Sequence, residues 1–165
     1  MKHILINYII YISIYIVLSD DKYFIRINKD TNNEYYFELK ETEAAKQFKE
    51  KLPFTVKMTN FNQNEVYYEF SDDFKKNEKS VGRNNIGDIH LYKSNTLVLF
   101  YKTFDTTYKY TEIGKLLNTN NLEKVIGTND VLVQWCLNTC VDDELSFSYV
   151  KLNYLILFSL IILIL

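Results

Sequence analysis

The residues able to do chemistry by themselves are few and far apart. The chain has two histidines, His3 and His90, and two cysteines, Cys136 and Cys140. Nucleophilic hydrolysis needs a nucleophile beside a base. There is no Gly-x-Ser-x-Gly, and no cysteine lies near His90 in sequence. A histidine-built metal site fails for want of ligands, and no Gly-rich phosphate loop occurs. The adjacent acids Asp72-Asp73 and Asp142-Asp143 read as solvated surface pairs, not as a general acid with its base. No catalytic residue, metal ligand or cofactor site is therefore assigned. Cys136 and Cys140 have the spacing C-x3-C with no further ligand nearby, which speaks against zinc. A local disulfide and a pair of free cysteines both stay open.

Binding chemistry is better represented. Leu99–Lys115 reads LFYKTFDTTYKYTEIGK, rich in Tyr and Thr. A tyrosine offers flat apolar area with a polar tip, as a ligand-binding wall requires. The candidate binding residues are Tyr92, Tyr101, Thr107, Tyr108, Tyr110 and Glu112. The competing reading of each is ordinary strand packing. The chain carries 14 tyrosines, and its wealth of Ile, Asn, Lys and Phe beside scarce Arg, Gly and Pro is what an AT-rich genome writes. A formal charge of −2 gives no strong pull towards nucleic acid, and no nucleic-acid partner is expected.

The elements that must position these residues are mostly strands. YFIRI (Tyr23–Ile27) and EYYFEL (Glu34–Leu39) flank the turn-forming KDTNN. The period then changes. Ala44, Ala45, Phe48 and Leu52 share one helical face, Thr42 stands as N-cap, and Pro53 ends the helix. Phe54–Met58 alternates like a strand, Asn60–Asn64 reads as a loop, and Glu65–Phe70 as a further strand. Ser71–Asn85 is mixed in charge and aperiodic, and reads as a solvated loop. Asp88–Tyr92 puts Ile89 and Leu91 on one face and His90 with Tyr92 on the other. Thr96–Lys102 is a near-continuous apolar run, so it reads as a strand buried on both faces. Tyr108–Ile113 is another strand. Asn121–Ile126 is a short helix with Gly127 as a left-handed cap, and Val131–Leu137 is the last strand. The fold class is mainly β, a small closed barrel with two short helices.

Both ends are apolar. Lys2 and His3 precede the run Ile4–Leu18, and Val17 with Ser19 fit a cleavage site before Asp20, so residues 1–19 read as a signal peptide or an uncleaved signal anchor. The barrel domain spans 20–137, a spacer 138–151, and a hydrophobic tail 152–165. As a helix the tail is about 21 Å long, short of a span. It reads as a glycolipid-anchor signal, with attachment near Asn138–Cys140 or at Ser146, or as a retained membrane helix. Either way the domain is expected in the secretory pathway, on the outer or lumenal face of a membrane.

Several phrases line up in order: LPFTVKM (Leu52–Met58), NFNQNEVYY (Asn60–Tyr68), IGDIHLY (Ile86–Tyr92), NTLVLFYKTFDTTYKYTEIGK (Asn95–Lys115) and NLEKVIGTNDVLVQW (Asn121–Trp135). Together they resemble the small bacterial cyclophilin-like domain family over roughly Tyr23–Leu137. The resemblance implies a cyclophilin-type β-barrel with two helices and, for this family, no established reaction. The family commonly has Arg where Glu112 stands. True cyclophilins, which the fold resembles, aim an Arg at the prolyl amide and carry Trp and His at the pocket rim. Here Arg83 lies in a different sequence setting, and the corresponding segment reads TFDTTYKYTE. Trp135 reads as core. The expected function is a non-enzymatic module that binds a small ligand or peptide and is tethered to a membrane surface. The alternatives are a divergent peptidyl-prolyl isomerase and a protein-interaction module using the loop Ser71–Asn85.

Overall fold

The structure is a computed structural model and describes residues 21–141. The expected leader 1–19, the tail 152–165 and the spacer beyond Val141 lie outside them, with Asp142-Asp143 and Ser146. In chain order the elements are β1 (Tyr23–Ile27), β2 (Glu34–Leu39), α1 (Glu43–Lys51), β3 (Phe54–Phe61), β4 (Glu65–Glu69), β5 (Lys79–Ser80), β6 (Arg83–Asn84), β7 (Asp88–Tyr92), β8 (Thr96–Phe100), β9 (Phe104–Asp105), β10 (Lys109–Leu116), α2 (Leu122–Ile126) and β11 (Val131–Leu137).

The order β2-β1-β11-β3-β4-β8-β7-β10 is antiparallel throughout, and β2 pairs with β10 to close an eight-stranded barrel. Closure leaves no long unpaired edge, which a chain this rich in β-formers needs. β10 divides one edge between two partners. Lys109 and Tyr110 pair with β5, while Gly114–Leu116 pair with β2. The switch follows a bulge between Glu112 and Gly114. Gly114 is required at the seam, because a Cβ there would meet the Glu38 carbonyl oxygen.

The interior is sealed by Ile25, Ile27, Ile89, Leu91, Leu97, Leu99, Ile113 and Val133, all fully buried. Trp135 lies at one end of it. Its indole meets Phe48 edge-on at 5.3 Å and Phe37 at 5.7 Å, and stacks on Phe54 at 6.2 Å. α1 supplies Phe48 together with Ala44 and Ala45, the face its spacing indicates. The Thr42 hydroxyl accepts from Ala45 N–H at 3.1 Å and donates to the Glu112 carbonyl at 3.0 Å. One residue thus caps the helix and fastens it to β10.

Four sequence expectations need revision. β3 runs on to Phe61, into the expected loop, because Asn62 and Gln63 take φ of 51° and 54° and the chain reverses within the three residues before Glu65. Ser71–Asn85 is not a free solvated loop. Phe74 is buried in the core, Asn84 is fully buried, and β5 and β6 lie within the segment. β8 ends at Phe100, since Tyr101 leaves the ladder and bonds to Asn60. Gly127 closes α2 at φ 64°, ψ −139°, outside the left-handed helical region. The cysteine alternatives resolve to a Cys136–Cys140 disulfide packed beside Phe24.

Candidate functional site

β4, β8, β7 and β10 are adjacent in the barrel, and their side chains alternate between its two faces. Inward go Val66, Leu97, Leu99, Ile89 and Leu91. Outward go Tyr67, Val98, Phe100, His90, Tyr92 and Tyr110. Val98, Phe100 and Tyr110 form a second, smaller cluster that Tyr67, Tyr92, Val81 and Phe104 join. The rings are mutually packed. Tyr110 lies 5.6 Å from Phe100, 5.4 Å from His90 and 5.8 Å from Tyr92. β8 is thus buried on both faces, as its apolar run implies, because this outer layer covers its second face.

β6 and β9 pair with each other and cover part of the layer, burying Asn84 completely. The remainder is an open cleft of about 250 Å³. Thr96 and Val98 form its floor, Tyr67, Tyr92 and Tyr110 its walls, and Phe61 and Tyr108 its rim. Floor and rim differ sharply in exposure: Val98 is 2% exposed, Phe61 49% and Tyr108 61%. Tyr92 meets Tyr108 edge-on at 5.8 Å, and Phe61 meets Tyr67 edge-on at 6.1 Å.

Three charges line the cleft: Glu65, Glu69 and Lys93. Glu65 is half-buried, and burial pushes its carboxyl up to about 7. Lys93 has φ 54° in the β7–β8 turn, and its ammonium lies 5.4 Å from the centre of the Tyr92 ring. Burial raises the Tyr110 phenol, and the nearby Glu65 charge adds to that. His90 lies under the rings, outside the cleft lining. Burial holds its imidazole below the usual range, while Asp88 and Glu112 pull the other way.

The six expected binding residues divide. Tyr92, Tyr108 and Tyr110 line the cleft together. Tyr101 is in the core, 1% exposed, with its hydroxyl donating to Asn60 Oδ1 at 2.9 Å. Thr107 is exposed and lines a neighbouring open depression with Gly82 and Phe104. Glu112 pairs across from His90 in the ladder and is not part of the cleft. The expected set omits Phe61, Glu65, Tyr67, Glu69, Lys93, Thr96 and Val98. The available signal was the alternation of EVYYE, which puts Glu65, Tyr67 and Glu69 on one face.

Chemically the cleft offers aromatic faces, four phenol hydroxyls and that of Thr96, two carboxylates and one ammonium. Among the described residues no group of three His, Cys, Asp or Glu is placed to hold a metal ion, and no helix is long and apolar enough to cross a membrane. Arg83 is away from the cleft lining, paired with Asp105 at 3.1 Å and well exposed.

A family model described as "Cyclophilin-like family" matches residues 27–135, about two thirds of the chain. No curated protein matches it. With the closed barrel and both helices, the chain belongs to the cyclophilin-like family.

Proposed function

Starting from a cyclophilin-like barrel with an open aromatic cleft on its outer face, we propose that the protein is a non-enzymatic binding module, held at a membrane surface by its apolar ends. The cleft carries this reading. Five of its ten lining residues are aromatic, and they surround about 250 Å³. That is below the roughly 300–1,000 Å³ of drug-sized sites, so the ligand is a small molecule or one side chain of a peptide. The residues around it hold and orient, and none is paired as nucleophile and base. The isomerase alternative has no comparable geometric support, since the mid-chain Arg83 is engaged with Asp105.

Membrane tethering rests on the apolar runs and on where they leave the domain. Tyr23 pairs with Leu137, Lys22 N–H donates to Asn138 Oδ1, and Asn138 N–H donates to the Lys22 carbonyl. Whichever flank is retained departs from the same place on the barrel. Asn138 is tied down and Cys140 is bridged, so Ser146 suits glycolipid attachment better than either. A disulfide also fits an oxidising compartment.

The test uses the full chain in maltoside micelles, with NMR signals assigned. A panel of small amines, small acids and Pro-containing peptides is titrated in. Shifts confined to residues around Tyr92 and Tyr108, weakened in Tyr108→Ala, are the expected result. A panel that leaves these signals unmoved removes the binding reading. Acceleration of prolyl isomerisation in a protease-coupled assay removes the non-enzymatic half. Recovery of the protein wholly outside the membrane fraction removes the tether.

A further inference from the structure

The proposed binding reading says nothing of what the ligand is, and the inference that follows rests on it. The cleft has a specific electrostatic form. Aromatic faces carry negative potential at the ring centre and attract cations. Here Tyr67, Tyr92, Tyr108, Tyr110 and Phe61 surround one space, and adjacent rings meet edge-on, so faces as well as edges turn into it. Two carboxylates, Glu65 and Glu69, share the lining against one ammonium, Lys93. Glu65 is the deeper of the two acids, half-buried beside the rings, with no cation of the chain paired to it in the ion pairs described.

The cleft already draws a cation of its own. Lys93 is exposed at the rim, and its ammonium is over the Tyr92 ring at 5.4 Å. A primary ammonium is strongly hydrated and stays at the edge. An alkylated ammonium spreads its charge over apolar groups, loses less hydration on entry, and matches rings on several sides. The volume suits a head group of that kind and little more.

We propose that the cleft between β4, β8, β7 and β10 is a site for an alkylated ammonium group, with Tyr67, Tyr92 and Tyr108 facing the cation and Glu65 neutralising it. A free quaternary amine and a phosphocholine head group share this chemistry. Lys93 is a resident competitor. Glu65 must ionise to meet the cation, so binding releases a proton. The titratable and charged groups facing Glu65 from the surrounding strands are Tyr67 and Glu69 on β4, Tyr110 on β10 and Lys93 in the β7–β8 turn. Phe61 and Phe100, its register partners on β3 and β8, are neutral.

The experiment titrates the full chain, in maltoside micelles, with choline and with its neutral isostere 3,3-dimethylbutan-1-ol, reading the NMR signals of the cleft. Choline binding about ten-fold tighter than the alcohol supports the proposal. Choline affinity should rise about ten-fold between pH 6 and 8, as Glu65 passes from mostly protonated to mostly ionised, and Glu65→Gln should flatten that rise. Lys93→Met, which removes the competing charge at the surface, should tighten choline binding a few-fold. Equal binding of choline and the alcohol overturns the cation inference and leaves the binding module standing. So does a Pro-peptide or an acid that shifts the cleft when choline does not. Weaker choline binding in Lys93→Met also overturns it. Silence of the cleft towards every probe overturns both readings. Once choline binds, glycerophosphocholine titrated into the same micelles decides the source. Binding tighter than choline assigns a lipid head group, and binding no tighter than choline assigns a free amine.

Discussion

On the inner face of β4, β8, β7 and β10, Val66, Leu97, Leu99, Ile89 and Leu91 are sealed from solvent and touch the rest of the barrel core. On the outer face of the same strands, Tyr67 and Tyr92 are half-buried and Tyr108, beside β10, is largely exposed. The backbone is common to both faces; what differs is what each side chain was desolvated against. Inside, aliphatic groups meet aliphatic groups and aromatic rings meet Trp135. Outside, rings meet rings, and part of the layer has no cover. A two-residue period thus lets one sheet be sealed on one side and partly open to solvent on the other. The barrel can lose a ring at the open rim of the outer layer cheaply, and it cannot lose an inner ring or a covered outer one such as Phe100.

The strongest way to break that contrast is at the core. Trp135→Ala removes the indole from Phe37, Phe48 and Phe54 and should cost about 3–5 kcal/mol, read by urea denaturation followed by circular dichroism. A loss under about 1 kcal/mol would mean the inner face is not what holds the barrel. Next comes the seam. Gly114→Ala puts a methyl against the Glu38 carbonyl and should cost about 1–3 kcal/mol, with the β2 amides losing exchange protection before those of β8.

The cleft has its own stability signature. The Glu65 carboxyl rises to about 7 on folding, so the native state holds its proton more tightly than the unfolded chain. Stability from this group is then greatest below its ordinary value near 4.5 and falls as pH rises towards 7. Glu65→Gln should remove that fall, gaining about 1–2 kcal/mol over the parent at pH 8 after solvent screening. Comparison with the parent cancels His90, whose slope is opposite. Its depressed imidazole refuses a proton that the unfolded chain accepts, so stability is lost as pH falls below 6.5. The smallest effect belongs to the rim. Tyr108→Ala should change stability by less than about 0.5 kcal/mol while weakening ligand shifts in the cleft. A larger loss would make the rim part of the scaffold.

The fold was legible where local chemistry decides alone. Tyr23–Ile27, Glu34–Leu39, Asp88–Tyr92 and Val131–Leu137 have the bounds their apolar patterns indicate, and Thr42 caps its helix. The two-residue strands were not legible, because Lys79–Ser80 and Phe104–Asp105 are set by partners distant in sequence. Phe74 looks like one apolar residue in a charged loop, and only the folded barrel shows that it fills a gap in the core. Three of the four expected tyrosines line the cleft, because alternation on β7 and into β10 predicts a common face. Tyr101 failed because it follows the end of β8, where alternation no longer applies. Glu65 and Tyr67 were missed for a different reason: nothing local says that β4 will lie beside β8.

The divided edge of β10 has a further consequence, for the time course of folding. The hairpins β3–β4 and β7–β8 join neighbours in sequence and close small loops. The β2–β10 seam joins three residue pairs distant in sequence, flanked by Lys40 N–H to the Ile113 carbonyl and Leu117 N–H to the Tyr36 carbonyl, and the β1–β11 ladder joins the two ends of the domain. Loop-closure entropy makes such a contact expensive until the strands between are already aligned. The barrel is therefore expected to form first as local hairpins and to become a cylinder last, when β11 finds β1 and the second half of β10 finds β2.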